Sequence, residues 1–122
     1  MNLQDFIQQA FLKAPSEAII RNVAAELHMS VEALLEALAK NAATNYLGGA
    51  YSWEFGDRVM NNIYSSTYVH SDLCLPPFAW KVFEAFDEGE YVHRGVLPEM
   101  DGEPRTRTLL LEVLAQRSDS RA

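Results

Sequence analysis

Cysteine, cationic side chains and long apolar runs are all scarce in this chain of 122 residues, and each shortage excludes something. The single cysteine, Cys74, cannot form an internal disulfide, so the chain is not a disulfide-framed scaffold. Nowhere do 18 apolar residues follow one another, which argues against a transmembrane helix. The opening stretch MNLQDFIQQAFLK has no cationic n-region and no uninterrupted apolar segment, so it is not expected to act as a signal peptide, and a cytoplasmic protein is the expectation. Zinc patterns of the C-x-x-C and H-E-x-x-H type, the G-x-S-x-G elbow and glycine-rich phosphate loops are missing. No recognised catalytic pattern is therefore present, an enzyme is the less favoured expectation, and no cofactor is expected. Lys and Arg number 10 against 17 Asp and Glu, a formal charge of -7 that opposes phosphate backbones and anionic membranes and favours basic partners.

What is present is ordinary globular composition, 48% hydrophobic and 22% charged, in a length suited to one domain. The pattern predicts an all-α fold: a compact bundle of about five or six short helices. A single domain over residues 1–117 is expected, with a frayed tail at 118–122. Leu3, Phe6, Ile7, Ala10 and Phe11 repeat at helical intervals in the first segment. Pro15 suits the first turn of a second helix carrying Ile19, Ile20, Val23, Ala24 and Leu27, with Met29 and Ser30 marking its end. Ser30 is an N-cap candidate for a third helix, whose apolar stripe runs through Leu34, Leu35, Leu38, Ala42 and Tyr46 to the Gly48, Gly49 stop.

A fourth helix is expected from Ser52, although Gly56 costs on the order of 1 kcal/mol there relative to alanine. Ser65 to Leu75 reads as loop. Pro76 and Pro77 open a fifth helix, built on Phe78, Val82, Phe83 and Phe86 and ended by Gly89. An irregular loop follows over 91–103, expected to be tied down by Tyr91, Val92, Val96 and Leu97. Pro104 opens the last helix, which is expected to run to about Gln116 with Leu109, Leu110, Val113 and Leu114 repeating and Leu111 widening the apolar face.

Within VAAELHMSVEALLEAL, residues Ala24, Leu27, Met29 and Leu34 follow the spacing of a helix-turn-helix core, and the segment 20–39 resembles that family. The family usually has glycine where this chain has His28. The resemblance implies that the second helix could read nucleic acid, with Ser30, Glu32 and Lys40 as candidate contacts. Its expected exposed positions, Ser30, Glu32, Glu36 and Ala39, carry two carboxylates and no arginine, which phosphates would repel.

Charge is unevenly distributed: residues 52–100 hold three basic and eight acidic side chains, and 101–122 hold four of each. Glu84, Asp87, Glu88 and Glu90 crowd the C-terminal end of the fifth helix, where the helix dipole disfavours them unless a cation such as His93, Arg94, Arg105 or Arg107 compensates. Eleven of the 13 aromatic residues fall between Tyr46 and Tyr91. Part of that surplus must be core, and part could form a binding surface, with Trp80 the ambiguous member.

One further grouping carries the alternative of a metal- or thiol-dependent enzyme. His70, Asp72 and Cys74 alternate and would share one side of an extended strand, with His93 as a fourth possible metal ligand or base, although a loop cysteine beside Leu73 and Leu75 is more often simply buried. The favoured expectation is a small protein-binding module, of the inhibitor, immunity or adaptor kind. It would hold a basic protein, or a second copy of itself, through Trp80, Glu84, Asp87, Glu88, Glu90 and Tyr91.

Overall fold

The computed structural model describes residues 1–68, 72–91, 94–95 and 97–121. Six α-helices account for most of them: α1 (Leu3–Leu12), α2 (Glu17–Glu26), α3 (Val31–Leu47), α4 (Trp53–Tyr68), α5 (Pro77–Glu88) and α6 (Glu103–Arg121), with a short 3-10 turn at Pro98–Met100. No strand occurs among the described residues. The all-α expectation is correct.

Side-chain caps start the first four helices. Asn2 Oδ1 accepts from Asp5 N at 2.8 Å, Ser16 Oγ from Ile19 N at 3.2 Å, Ser30 Oγ from Ala33 N at 3.0 Å and Ser52 Oγ from Phe55 N at 3.1 Å. Each satisfies an amide with no intrahelical acceptor. Pro15 thus lies just before the cap of α2 instead of in its first turn, and α2 ends at Glu26, ahead of Met29. Pro77 does open α5, and Gly89 caps its end.

The turn between α2 and α3 is a Schellman motif. Met29 N donates to Ala24 O at 2.9 Å and His28 N to Ala25 O at 3.1 Å. The motif needs a left-handed residue, and His28 takes that role with φ 56°. The position where the family resemblance calls for glycine therefore has the glycine conformation, filled by histidine at some cost in strain.

Helix α5 packs against α3, α4 and α6, and α1 packs on α4. Phe6, Leu35, Leu38, Met60, Ile63 and Phe86 are fully enclosed in the centre. Gly56 has a structural purpose here: a Cβ at that position would sit 2.5 Å from Phe86 Cζ. The missing side chain lets the Phe86 ring lie against the α4 backbone, which offsets the glycine's poor helix propensity. At the far end of α5, Thr106 Oγ1 donates to Ala85 O at 2.8 Å and accepts from Trp53 Nε1 at 3.1 Å, joining α4, α5 and α6 through one buried hydroxyl.

Several expectations fail for identifiable reasons. Ser65, Ser66, Thr67 and Tyr68 are helical, not loop, because the hydroxyls of Ser66 and Thr67 donate to the carbonyls of Asn62 and Tyr64 at 3.1 Å and so fit inside a helix. Ala39 is buried, since α3 is covered on more sides than a hairpin partner alone would cover. Ile19, Leu97, Leu111 and Tyr91 are exposed, and Val92 and Val96 lie outside the described residues, so Tyr91 and Leu97 do not tie the 91–103 loop to the body. Helix α6 continues past Gln116 to Arg121.

Candidate functional site

Helices α4 and α5 run antiparallel, and their exposed seam has an acidic end and an aromatic end. The spacing on each helix accounts for both. On α4, Asp57, Asn61, Tyr64 and Tyr68 follow one another at intervals of three or four residues and so share a face. On α5, Trp80, Phe83 and Asp87 do the same, and Glu90 and Tyr91 follow directly after the helix.

At the acidic end, Asp57 comes from α4 while Asp87 and Glu90 come from α5 and its exit. Asn61 Nδ2 donates to Glu90 Oε2 at 3.4 Å and to Asp57 O at 2.9 Å, bridging the two elements. No ion pair reaches Asp57, Asp87 or Glu90 among the described residues. Asp57 Oδ1 is enclosed without a hydrogen-bond partner. Burial, reinforced by the neighbouring Glu90 carboxylate, pushes the Asp57 carboxyl up to about 7. Burial and Glu90 also raise Asp87, and the charges of Asp87 and Glu90 raise the Tyr91 hydroxyl. The Glu90 carboxylate contributes to all three shifts, and no cation is paired with this negative charge among the described residues.

At the aromatic end, Tyr64 stacks on Phe83 with centroids 4.5 Å apart and lies 5.9 Å from Trp80, while Tyr68 lies 5.1 Å from Tyr64 and 5.6 Å from Trp80. Phe83 is the buried base of the group, Tyr64 and Trp80 are half-buried, and Tyr68 is 46% exposed. Trp80 is thus neither pure core nor free surface. Its companions are on α4, which the spacing along α5 could not reveal.

The sequence-predicted surface divides in two. Trp80, Asp87, Glu90 and Tyr91 border the α4 seam. Glu84 and Glu88 instead border the α6 side, where they line a groove with Lys81 and Arg105. Arg105 Nε donates to Glu88 Oε2 at 3.1 Å, so one of the four acids at the end of α5 is compensated inside the fold. Arg107 is not used that way: it lies over the Tyr46 ring and donates to Leu47 O at 3.4 Å.

The other candidates are dispersed. Asp72 and Cys74 are both exposed, which corrects the expectation of a buried cysteine, and His70 and His93 lie outside the described residues. Among the described residues no three His, Cys, Asp or Glu side chains are grouped as a metal ion requires, and that includes Asp57, Asp87 and Glu90. On α3, the Ser30 hydroxyl is occupied as the helix cap and Glu36 pairs with Arg117 at 3.0 Å, leaving Glu32 and Lys40 exposed. Asp57, Asn61, Tyr64 and Tyr68 are the seam residues that sequence reasoning missed as a group. Their helical spacing on α4 was visible, but the helix that would face them was not.

No protein family, no curated protein and no solved structure matches the chain. No helix among the described residues is long and apolar enough to cross a membrane.

Proposed function

We propose that the chain is a small binding protein whose α4/α5 seam holds a basic protein partner. The observation that carries this is the meeting of Asp57, Asp87 and Glu90 from two elements, with no cation paired to them among the described residues. Beside them stand half-exposed Tyr64, Tyr68 and Trp80. A cationic side chain entering the acidic end would relieve the mutual repulsion of the carboxylates, and the aromatic faces next to it offer apolar area and cation–π attraction. A second copy of the chain fits less well, because symmetric pairing through the seam brings like charges together.

The test is capture from the native host with the wild type, with D87K/E90K, and with E32K/E112K as a charge-matched control at exposed sites elsewhere. Loss of the partner from D87K/E90K alone supports the proposal. Equal capture by all three proteins removes it.

A second reading, regulation of transcription through residues 20–39, is favoured by one observation, the left-handed turn at His28. The exposed Glu32 on α3 opposes it. A low-salt gel shift against genomic fragments decides it, since absence of any retardation eliminates that role.

A further inference from the structure

A second concavity lies away from the acidic end of the seam. About 680 Å³ in volume, it is bounded by the end of α1, the α1–α2 connection, the start of α2 and Ser66 of α4. That size falls in the range of small-molecule sites. Its apolar walls are Leu12, Ala14, Pro15 and Ile19. Leu12 is 70% and Ile19 41% exposed, so two large aliphatic side chains are left facing water around one hollow. Neither belongs to the stripe that packs its own helix into the core, where Phe6, Ile7, Ala10, Ile20 and Val23 are buried.

The rim carries two charges, Lys13 and Glu17. Glu17 is already engaged: its Oε2 pairs with Arg21 Nε at 3.5 Å, and its Oε1 accepts from Asp72 N at 3.3 Å. The Lys13 ammonium makes no ion pair or hydrogen bond among the described residues. Among the described lining residues, the one charge left unpaired is therefore the Lys13 ammonium, a cation beside an apolar hollow. The -7 charge of the whole chain does not cancel this preference, because charges beyond roughly 10 Å are screened at ordinary ionic strength.

From this charge complementarity we infer that the hollow binds an amphipathic carboxylate, a free fatty-acid type of molecule. Its aliphatic tail covers Leu12, Pro15 and Ile19 and its head group pairs with Lys13. Burying the tail supplies the drive, and the ammonium selects an anionic head over a neutral one. The site is separate from the surface proposed for the basic partner.

The probes are decanoate, decanol and vesicles of phosphatidylglycerol. In methyl-labelled protein, decanoate below its micelle concentration is expected to shift the Leu12 and Ile19 methyl signals. Wild-type protein should bind decanoate at least several-fold more tightly than decanol, and K13Q should abolish that preference. I19N should weaken both ligands, and since Lys13 and Ile19 are exposed, both variants should melt like wild type. The inference is overturned if Leu12 and Ile19 are silent toward decanoate, or if K13Q keeps the preference for the acid. It is equally overturned if the protein associates only with vesicles or micelles.

Discussion

Asn61 of α4 links the backbone carbonyl of Asp57 to the carboxylate of Glu90, the second residue past the end of α5, and no cation pairs with either carboxyl group among the described residues. Burial and the Glu90 carboxylate together push Asp57 up from 3.8 to about 7. The folded chain consequently holds the Asp57 proton more tightly than the unfolded chain does. The stabilisation this gives is complete below the ordinary carboxyl range and is lost as pH rises through about 7.

Asparagine mimics the protonated acid, so D57N should be more stable than wild type at pH 8, with a smaller advantage at pH 5. The gain expected at pH 8 is about 1 kcal/mol, well under the roughly 4 kcal/mol that 1.36 kcal/mol per pKa unit would give, because the side chain is only partly buried and solvent screens it. Urea denaturation of both proteins at the two pH values measures it. Parallel pH slopes would show that the carboxyl is not perturbed.

Gly56 and Phe86 make a sharper packing test. Helix propensity alone would render G56A stabilising by about 1 kcal/mol. The new methyl would meet the enclosed Phe86 ring at 2.5 Å, and overpacking in a core costs about 1–3 kcal/mol, so a net loss is expected. In an F86L background the same G56A change should become neutral or favourable. A double-mutant cycle by chemical denaturation reads the coupling, and additive effects would contradict the contact.

His28 occupies the left-handed position of the α2–α3 turn with φ 56°. H28G removes the Cβ clash but increases the freedom of the unfolded chain, and the expected balance is a gain of about 0.5–1 kcal/mol. A melting temperature raised by a few degrees in calorimetry would agree with that. A lowered one would mean that the imidazole contributes more than its backbone strain costs.

Much of the fold is legible from the sequence because its punctuation is local. Ser30, Gly48, Pro77 and Gly89 mark helix ends by their own backbone chemistry, without help from distant residues. What stays hidden depends on which helix faces which. Gly56 reads as a defect until Phe86 is seen against it. Glu84 and Asp87 read as one acidic run, yet α4 and α6 lie on different sides of α5 and separate them. Asp57, 30 positions before Asp87 in the chain, joins the acidic end only because α4 and α5 run antiparallel. Periodicity along one helix assigns a face but does not name the neighbour.

The claim that the α4/α5 seam holds a basic partner is tested most directly by site-specific photo-crosslinking in the native host. A benzophenone amino acid would replace Tyr68, an exposed aromatic member of the seam, or Glu112, an exposed residue of α6, in otherwise wild-type protein. Mass spectrometry should find a basic protein joined through position 68, lost when D87K/E90K is added, and no such adduct through position 112. A partner joined through 112 and absent from 68, or an adduct at 68 that persists in D87K/E90K, would contradict the claim.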